Sequence, residues 1–183
     1  MLKHKGTVRL ATDRLILRKI TIADAPAMFR NWATSKKVTK FLTWFPHENV
    51  SVTESVLRDW ETKYSQPDFY QWAIELKSLA EPVGTITVVR INEKTDECEI
   101  GYCIGDAWWG QGITAEAFRA VIDFLFKEVG AQRIMAKHDV DNPNSGKVML
   151  KCGLQYEGTM RRAGRSSTGK LCDLKIYSVL SDL

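Results

Sequence analysis

Cysteine is scarce in this chain, and its spacing excludes several kinds of protein. The four cysteines, Cys98, Cys103, Cys152 and Cys172, form no C-x-x-C pair and no Cys/His pattern typical of a metal site. A chain of 183 residues can bury a sizeable core without cross-links, so we expect free thiols in a reducing compartment. The three histidines, at positions 4, 47 and 138, are far apart, and no metal is predicted.

Long apolar runs and a strong charge balance are also missing. No apolar stretch approaches the roughly 18 residues that indicate a membrane span, and the opening M-L-K-H-K-G lacks the apolar segment of a secretory signal. A net charge of +4, from 26 basic and 22 acidic residues, is too mild to indicate a nucleic-acid-binding protein. We therefore expect a cytoplasmic protein with a single domain over residues 1–183, and with neither nucleic acid nor membrane as partner.

The most informative stretch is Trp109–Ala117, W-G-Q-G-I-T-A-E-A. It follows an extended run over Glu97–Ile104 and precedes a segment whose apolar residues recur at helical spacing up to Val129. Glycines let a backbone approach a ligand closely, and the first N–H groups of a helix have no intrahelical partner. A strand, a glycine turn and a helix N-terminus together favour an anion, most often a phosphate.

Two other phosphate-binding motifs fit this chain less well. A dinucleotide-binding G-x-G-x-x-G belongs early in a βαβ unit, whereas Gly110 and Gly112 lie two-thirds of the way along the chain, and Ala115 stands at the position of the third glycine. Gly164–Lys170, G-R-S-S-T-G-K, approaches a nucleotide-binding P-loop, but Leu171 replaces the hydroxyl that would hold magnesium. The residues after it alternate and are rich in branched side chains, so a hairpin turn is the preferred interpretation. A P-loop nucleotidase stays an alternative, and nucleoside triphosphate binding with magnesium would test it.

Trp109–Thr114 resembles the pyrophosphate loop, Q/R-x-x-G-x-G/A, of the GNAT superfamily of acyl-CoA-dependent N-acyltransferases. Gly112 falls on the central glycine, whereas Trp109 and Thr114 depart from the two outer positions. Three further segments, in the right order, are similar to the Rim-type branch of ribosomal-protein N-terminal acetyltransferases. They are T-D-R-L-I-L-R at 12–18, E-I-G-Y-C-I-G at 99–105, and N-P-N-S followed by K-C-G-L within 142–154.

This resemblance implies an α+β fold, with a mostly antiparallel twisted sheet flanked by helices. Turn residues and periodicity predict strands near 8–19, 69–77, 83–91, 97–104, 132–138, 154–163 and 171–180, and helices near 22–34, 51–64, 113–129 and 144–152. Thr21 with Asp24, and Ser51 with Glu54, have the spacing of helix-starting capping boxes. In the family fold two neighbouring strands splay apart, here 97–104 and 132–138, and the cofactor enters the gap.

The resemblance also implies acetyl-CoA as co-substrate. Backbone N–H groups from Gln111 to Ala115 would hold its pyrophosphate, and the Cys103 and Ile104 backbones would pair with its pantetheine amides as an added strand does. Asn142 would contact the pantetheine arm, and Lys147 and Lys151 the adenosine phosphates, unless that helix face is only solvated. The predicted cofactor-binding residues are Cys103, Ile104, Trp109, Gly110, Gln111, Gly112, Ile113, Thr114, Ala115, Asn142, Lys147 and Lys151.

Acetyl transfer to an amine needs a base for the amine and a proton donor for the leaving thiolate. Glu99 is the candidate base, because the matching strand carries a catalytic glutamate in some GNAT enzymes; the alternative is a structural carboxylate paired with a basic neighbour. Many family members use a helical tyrosine as donor, but Met149 stands at that position here. Ser145 is therefore the candidate donor, with a helix N-cap as its alternative role. Cys103 as an acyl-accepting nucleophile is disfavoured, because no histidine stands near it in sequence.

The acceptor amine is the least determined part of the reaction. In the Rim-type branch the acceptor groove comes from the N-terminal half and the last strands. Aromatic residues that could line it here are Trp32, Phe41, Trp44, Phe45, Trp60, Tyr70 and Trp72. The resemblance favours a protein or peptide α-amine, while a polyamine or antibiotic, or a non-catalytic acyl-CoA sensor, stays open. Exposed aromatics and strand edges near the C-terminus are compatible with a homodimer.

Overall fold

A computed structural model describes residues 1–181. Its strands are β1 Leu10–Ala11, β2 Leu15–Arg18, β3 Gln71–Leu76, β4 Glu81–Asn92, β5 Glu97–Ile104, β6 Arg133–Asp139, β7 Gln155–Arg165 and β8 Leu171–Leu180. Its helices are α1 Ala25–Met28, α2 Lys36–Thr39, α3 Val50–Lys63, α4 Ile113–Phe124 and α5 Pro143–Lys151. The strands form one sheet in the order β1-β2-β3-β4-β5-β6-β8-β7, and only the β5–β6 pair is parallel. The predicted α+β fold with a mostly antiparallel sheet is confirmed.

Helices cover both faces of the sheet, and each face has its own apolar cluster. On one face α4 presents Phe118 and Val121 at helical spacing, and both pack with Trp72 and Ile86 of the sheet in the main core. On the other face Trp32 and Leu57 belong to a smaller cluster under α1 and α3. Complete burial of such a side chain stabilises the fold by roughly 1.5–3 kcal/mol. The sheet is therefore held firmly between two helical layers.

The predicted strand at 8–19 was wrong in one respect, because the chain folds back within it. β1 and β2 pair antiparallel, and the Thr12 N–H donates to the Leu15 carbonyl at 3.0 Å across the turn between them. The Thr12 hydroxyl and the Arg14 backbone N–H both bind the Glu116 carboxylate on α4. A continuous strand would separate these two donors, so the distant carboxylate accounts for the turn.

Helices are present in all four predicted segments, but some begin or end in a turn of another helix type. The helix at 22–34 is a composite, in which a 3-10 turn (Ile22–Asp24) leads into α1 and a π-helical turn (Phe29–Ala33) follows it. The helix at 113–129 likewise ends in a π-helical turn after α4. The capping box at Thr21 is present, but the one at Ser51 was wrong. Asn49 caps α3 instead, with its side-chain oxygen accepting from the Val52 N–H at 3.2 Å.

The splay predicted between strands 97–104 and 132–138 is present. β5 and β6 pair only through Glu97–Glu99 and Arg133–Met135, so the last five residues of β5 have no partner on the β6 side. At the paired end, Arg133 binds Glu97 at 2.7 Å and Glu157 of β7 at 2.5 Å. The gap therefore opens towards the end of β5, and the ion pairs close its other end. The hairpin predicted at Gly164–Lys170 joins β7 to β8.

Candidate active site

A cavity of about 460 Å³ occupies the open end of the gap, and we name it the cofactor cavity. It collects residues from the end of β5, the glycine turn, the start of α4, and helices α2 and α5. Of the predicted site residues, those lining it are Cys103, Ile104, Trp109, Gly110, Gly112, Ile113, Thr114, Ala115, Asn142, Ser145, Lys147 and Lys151. Glu99 and Gln111 do not line it.

The glycine turn presents free backbone donors to the cofactor cavity. Gly112 caps α4 in the left-handed conformation, at φ 76°, and Gly110 has the same φ. The first backbone donor of the helix to find a partner is the Glu116 N–H, which donates to the Gly112 carbonyl at 3.0 Å. Within residues 1–181 the N–H groups of Ile113, Thr114 and Ala115 have no hydrogen-bond acceptor. Three converging donors at a helix N-terminus suit a phosphate group.

Arg14 holds this turn in place, a role that the sequence did not reveal. Its guanidinium donates to the Gln111 carbonyl at 3.0 Å and binds the Glu116 carboxylate at 2.6 Å. The Glu116 carboxylate also accepts from the Arg14 backbone N–H and the Thr12 hydroxyl, and it thereby anchors the turn to the β1–β2 segment. The signal that could have revealed Arg14 is its place in T-D-R-L-I-L-R, although the motif does not indicate a partner 102 residues away.

Four lysines surround the cofactor cavity. Lys147 and Lys151 were predicted from α5. Lys37 lies on α2, a short helix that the sequence did not predict, and Lys40 is the residue that caps its C-terminus. Lys37 lies 3.7 Å from the Asp106 carboxylate, and Asp141 is the acidic residue among the lining side chains. The excess of positive charge would attract an anionic ligand with several phosphates.

The Cys103 backbone on β5 was predicted to pair with the cofactor, and the structure shows that it pairs with β4 instead. The Gly105 N–H donates to the Val83 carbonyl of β4 at 2.9 Å, and the antiparallel register pairs Cys103 with Thr85 two residues on. Alternation along an antiparallel pair then directs the Cys103 peptide groups at β4. The prediction that the Cys103 backbone is available to a cofactor is therefore wrong.

The peptide groups that face the gap are those of Tyr102 and Ile104. The Ile104 carbonyl already accepts the Trp109 indole N–H at 3.0 Å, which fixes the large side chain at the mouth of the turn. Trp109 is 48% exposed beside it. A ligand that pairs with β5 as an added strand would therefore bond to the Tyr102 peptide groups, and to the hydrogen-bonding positions of Ile104 that Trp109 does not occupy.

Tyr102 is the functional candidate that the sequence did not indicate. Its ring packs against Phe118, with centroids 5.6 Å apart, and its hydroxyl donates to the Ser145 carbonyl at 2.9 Å. The same hydroxyl lies 3.0 Å from the Ser145 hydroxyl. Burial raises the pKa of Tyr102, so it stays protonated and can donate. The only hint was its place in E-I-G-Y-C-I, where alternation placed it opposite Glu99.

Ser145 and Met149 both lie on α5, but only Ser145 reaches the cofactor cavity. Ser145 is the third residue of the helix and Asn142 is its N-cap, so the alternative role of Ser145 as the cap was wrong. Met149 is fully packed in the main core, as expected for a side chain that cannot serve as a donor. The hydroxyl pair Tyr102–Ser145 thus lies where β5 approaches α5.

Glu99 is 4% exposed and is ion-paired through both oxygens. Arg90 contacts one oxygen at 3.0 Å and Lys137 contacts the other at 2.9 Å. Its carboxylate does not reach the lining of the cofactor cavity. This geometry favours the structural alternative for Glu99, and the role of base stays a prediction.

A second cavity, of about 360 Å³, lies on the side of β5 that faces α1 and α3, and we name it the acceptor cavity. It shares Leu42, Tyr102 and Cys103 with the cofactor cavity, so the two meet at the end of β5. Its walls include Met28, Trp44 and Trp60. None of its lining residues is Asp, Glu, Lys or Arg, which makes it unlike the lysine-rich cofactor cavity.

Three side chains of the acceptor cavity carry polar groups. Trp32 was predicted as a groove residue only for its aromatic surface, and Gln71 and His47 were not predicted as functional. Trp32 is fully buried and Gln71 is 5% exposed, yet the Trp32 indole N–H and the Gln71 amide nitrogen have no hydrogen-bond partner within the described chain. His47 contacts the Thr53 hydroxyl through Nδ1 at 2.7 Å. Burial lowers the pKa of His47, so its imidazole is neutral near pH 7. The residues come from separate elements, and no sequence motif connects them.

Among residues 1–181, no group of three or more His, Cys, Asp or Glu side chains could hold a metal ion. In the same range, no helix has both the length and the apolar character needed to cross a membrane.

Comparison with known proteins places the chain in a family. Residues 14–155 match the family model described as an acetyltransferase (GNAT) domain. The uncharacterised N-acetyltransferase YoaA of Bacillus subtilis (strain 168) is 32% identical over 171 residues, covering 93% of this chain and 96% of that protein. The ribosomal protein uS5-alanine N-acetyltransferase of Escherichia coli (strain K12) is 26% identical over 159 residues, or 82% of this chain and 80% of that protein. The chain belongs to the GNAT acetyltransferase family, as its motifs predicted.

A solved structure with the same fold is that of the microcin C7 self immunity acetyltransferase MccE in complex with acetyl-CoA and AMP. It has a TM-score of 0.82 and 23% sequence identity, and the match covers 93% of this chain and 94% of that chain. GNAT acetyltransferases use acetyl-CoA. The residues present here fit that co-substrate, since free N–H groups and lysines line a cavity that opens at the splayed strands.

Proposed function

We propose that this chain, as a single catalytic domain, transfers the acetyl group of acetyl-CoA directly to a primary amine, in the cytoplasm. The observation that carries the proposal is the meeting of two chemically different cavities at Tyr102 and Cys103. One cavity suits a phosphorylated cofactor and the other an uncharged, partly apolar ligand. Placing two substrates at one point is the main requirement of direct transfer.

The residues divide between binding and proton transfer. The Ile113–Ala115 N–H groups and the lysines at 147 and 151 would hold the phosphates, with Asn142 beside the pantetheine arm. Attack of the amine on the thioester carbonyl forms the C–N bond and breaks the C–S bond. The amine proton goes to a base, and the leaving thiolate takes a proton from the Tyr102–Ser145 hydroxyl pair.

Two side chains are candidates for the base. Glu99 is the one predicted from the family motif, but two cations hold its carboxylate. His47 lines the acceptor cavity itself, and its lowered pKa keeps the imidazole able to accept a proton. We place His47 ahead of Glu99 on this evidence.

The finer proposal is that the acceptor is the α-amine of a protein or peptide. Similarity to the uS5-alanine N-acetyltransferase supports it, and so does the absence of carboxylates from the acceptor cavity, which disfavours a polyamine. A small amine acceptor is the second candidate, because the cavity of about 360 Å³ could enclose one completely.

The test is a panel of amines supplied with acetyl-CoA, with release of coenzyme A thiol as the measurement. We expect turnover with short peptides that have a free N-terminus, and none when that amine is blocked. Tight acetyl-CoA binding without turnover of any amine would instead identify a sensor domain with the same fold.

A further inference from the structure

Two unsatisfied donors lie in the acceptor cavity. The Trp32 indole N–H and the Gln71 amide nitrogen are buried without a partner. A buried donor that lacks an acceptor costs roughly as much as a lost hydrogen bond, so structures leave few of them. Both side chains line one cavity, and this common location indicates that a ligand oxygen supplies what the protein does not.

The register of the sheet sets the distance from these donors to the reaction point. Gln71, Thr87 and Gly101 are direct partners across β3, β4 and β5. Adjacent strands lie roughly 5 Å apart, so about 10 Å separates the Gln71 backbone from that of Gly101, and the side chains of partner positions face the same side of the sheet. Gln71 and Cys103 both line the acceptor cavity of about 360 Å³. An acceptor oxygen bound at Gln71 therefore lies in the same small cavity as an amine placed beside Cys103.

The absence of charged side chains from the acceptor cavity limits which classes of ligand it can bind. Its lining contains no acidic side chain to pair with a second ammonium group, and no lysine or arginine to pair with a carboxylate. The walls at Met28, Trp44 and Trp60 are mainly apolar. The ligand should carry no charge besides its reacting amine.

We infer that Trp32 and Gln71 determine acceptor specificity by donating hydrogen bonds to a carbonyl oxygen close to the reacting amine. The acceptor class is then an uncharged α-amino carbonyl compound with an apolar side chain. This inference rests on the proposed acetyl transfer and names the two residues that select the acceptor. Charged polyamines and aminoglycosides are excluded as good substrates.

A matched pair of amines tests the inference. Phenylalaninamide and phenethylamine share the ring and the amine, but only the first has the carbonyl. With kcat/KM expressed per unprotonated amine, we expect the wild type to prefer phenylalaninamide by roughly tenfold or more, since each neutral hydrogen bond contributes roughly threefold to tenfold. Trp32→Phe and Gln71→Glu should each reduce that preference by a similar factor. Gln155→Glu, the same change at an exposed position outside both cavities, should leave the preference unchanged.

The outcomes separate this inference from the proposed function. An unchanged preference in Gln71→Glu would overturn it, and that variant keeps the shape of the side chain if Trp32→Phe fails to fold. Binding of acetyl-CoA without acetylation of either amine would also overturn it. Failure of the wild type to bind acetyl-CoA would remove the proposed function, and this inference with it.

Discussion

The cofactor cavity and the acceptor cavity meet at Tyr102, but different parts of the chain form them. The central part of the first is main chain, since the Ile113–Ala115 N–H groups come from one continuous turn held by Arg14. The second consists of residues from α1, the π-helical turn after it, the loop over 42–47, α3 and three strands, positioned only by the packed fold. A main-chain site tolerates most side-chain replacements and depends on glycine geometry. A side-chain site changes its ligand with a single substitution.

The largest effect should come from the glycine that shapes the main-chain site. Gly112→Val should weaken acetyl-CoA binding at least ~100-fold, because a branched side chain disfavours the left-handed φ and crowds the free N–H groups. Gly130→Val is the matched control, with φ 82° and open space around it. Both variants should lose similar stability, roughly 1–3 kcal/mol, and only the first should lose binding in calorimetry. Equal affinities would show that the turn is not the phosphate site.

The next effect compares the two candidate bases. His47→Gln should lower kcat by roughly 100-fold, the lower end for general-base catalysis, whereas Glu99→Gln should mainly lower the melting temperature, because it leaves Arg90 and Lys137 without their shared partner. Steady-state kinetics beside thermal unfolding separate the two. The reverse pattern, with kcat lost at Glu99 and retained at His47, would restore the prediction from the family motif.

A smaller effect is expected at the point where the cavities meet. Tyr102→Phe removes the hydroxyl and keeps the ring against Phe118, so kcat should fall about tenfold or more while the KM for acetyl-CoA changes little. Ser145→Ala should cost less if tyrosine is the donor. A kcat that falls further in Ser145→Ala than in Tyr102→Phe would reverse these two roles.

Arg14 should have a milder influence, since it acts on the turn rather than on the ligand. Arg14→Met removes the bonds to the Gln111 carbonyl and Glu116, and acetyl-CoA affinity should fall several-fold, as for one or two hydrogen bonds. Arg14→Lys should recover part of the loss. Amide exchange at Glu116, whose N–H donates to the Gly112 carbonyl, should quicken in Arg14→Met without ligand, and unaltered exchange would contradict the positioning role.

The smallest effect lies outside both cavities, at the closed end of the splay. Hydrogen bonds from Arg133, and then from Ser178, lower the pKa of Glu157 to about 2. Because the folded-state pKa lies below that of the unfolded chain, this pair stabilises the fold above about pH 4.5, and the contribution is lost as pH falls towards 2. Glu157→Gln should flatten that part of the stability profile in chemical denaturation, and Glu128→Gln on α4's continuation should not. If the stability of wild type and Glu157→Gln changed with pH in parallel, the Arg133–Glu157 pair would not be the source of this pH dependence.

The same contrast explains how much the sequence revealed. Trp109–Ala117 predicted a helix start, its glycines and an anion site, because all three follow from local chain geometry. The splay and most strand bounds followed from alternation and the family resemblance. Tyr102 and Gln71 could not be identified in this way, because their function depends on which strands become neighbours. Trp32 was predicted only as one of several aromatic residues of the acceptor groove, and its free indole N–H was not. The wrong prediction for the Cys103 backbone has the same cause. Alternation along β5 determines which face its side chain is on, but only the register with β4 determines where its peptide groups point.

The unpaired residues of β5 beside β6 also offer a way to stabilise the folded chain. Their open hydrogen-bonding positions form an internal sheet edge, and a ligand lying there would serve as the absent strand. A ligand that binds only the native state, at a concentration 100 times its Kd, adds about 2.7 kcal/mol to folding stability. If acetyl-CoA binds there as proposed, the folded chain would therefore be less stable in its absence.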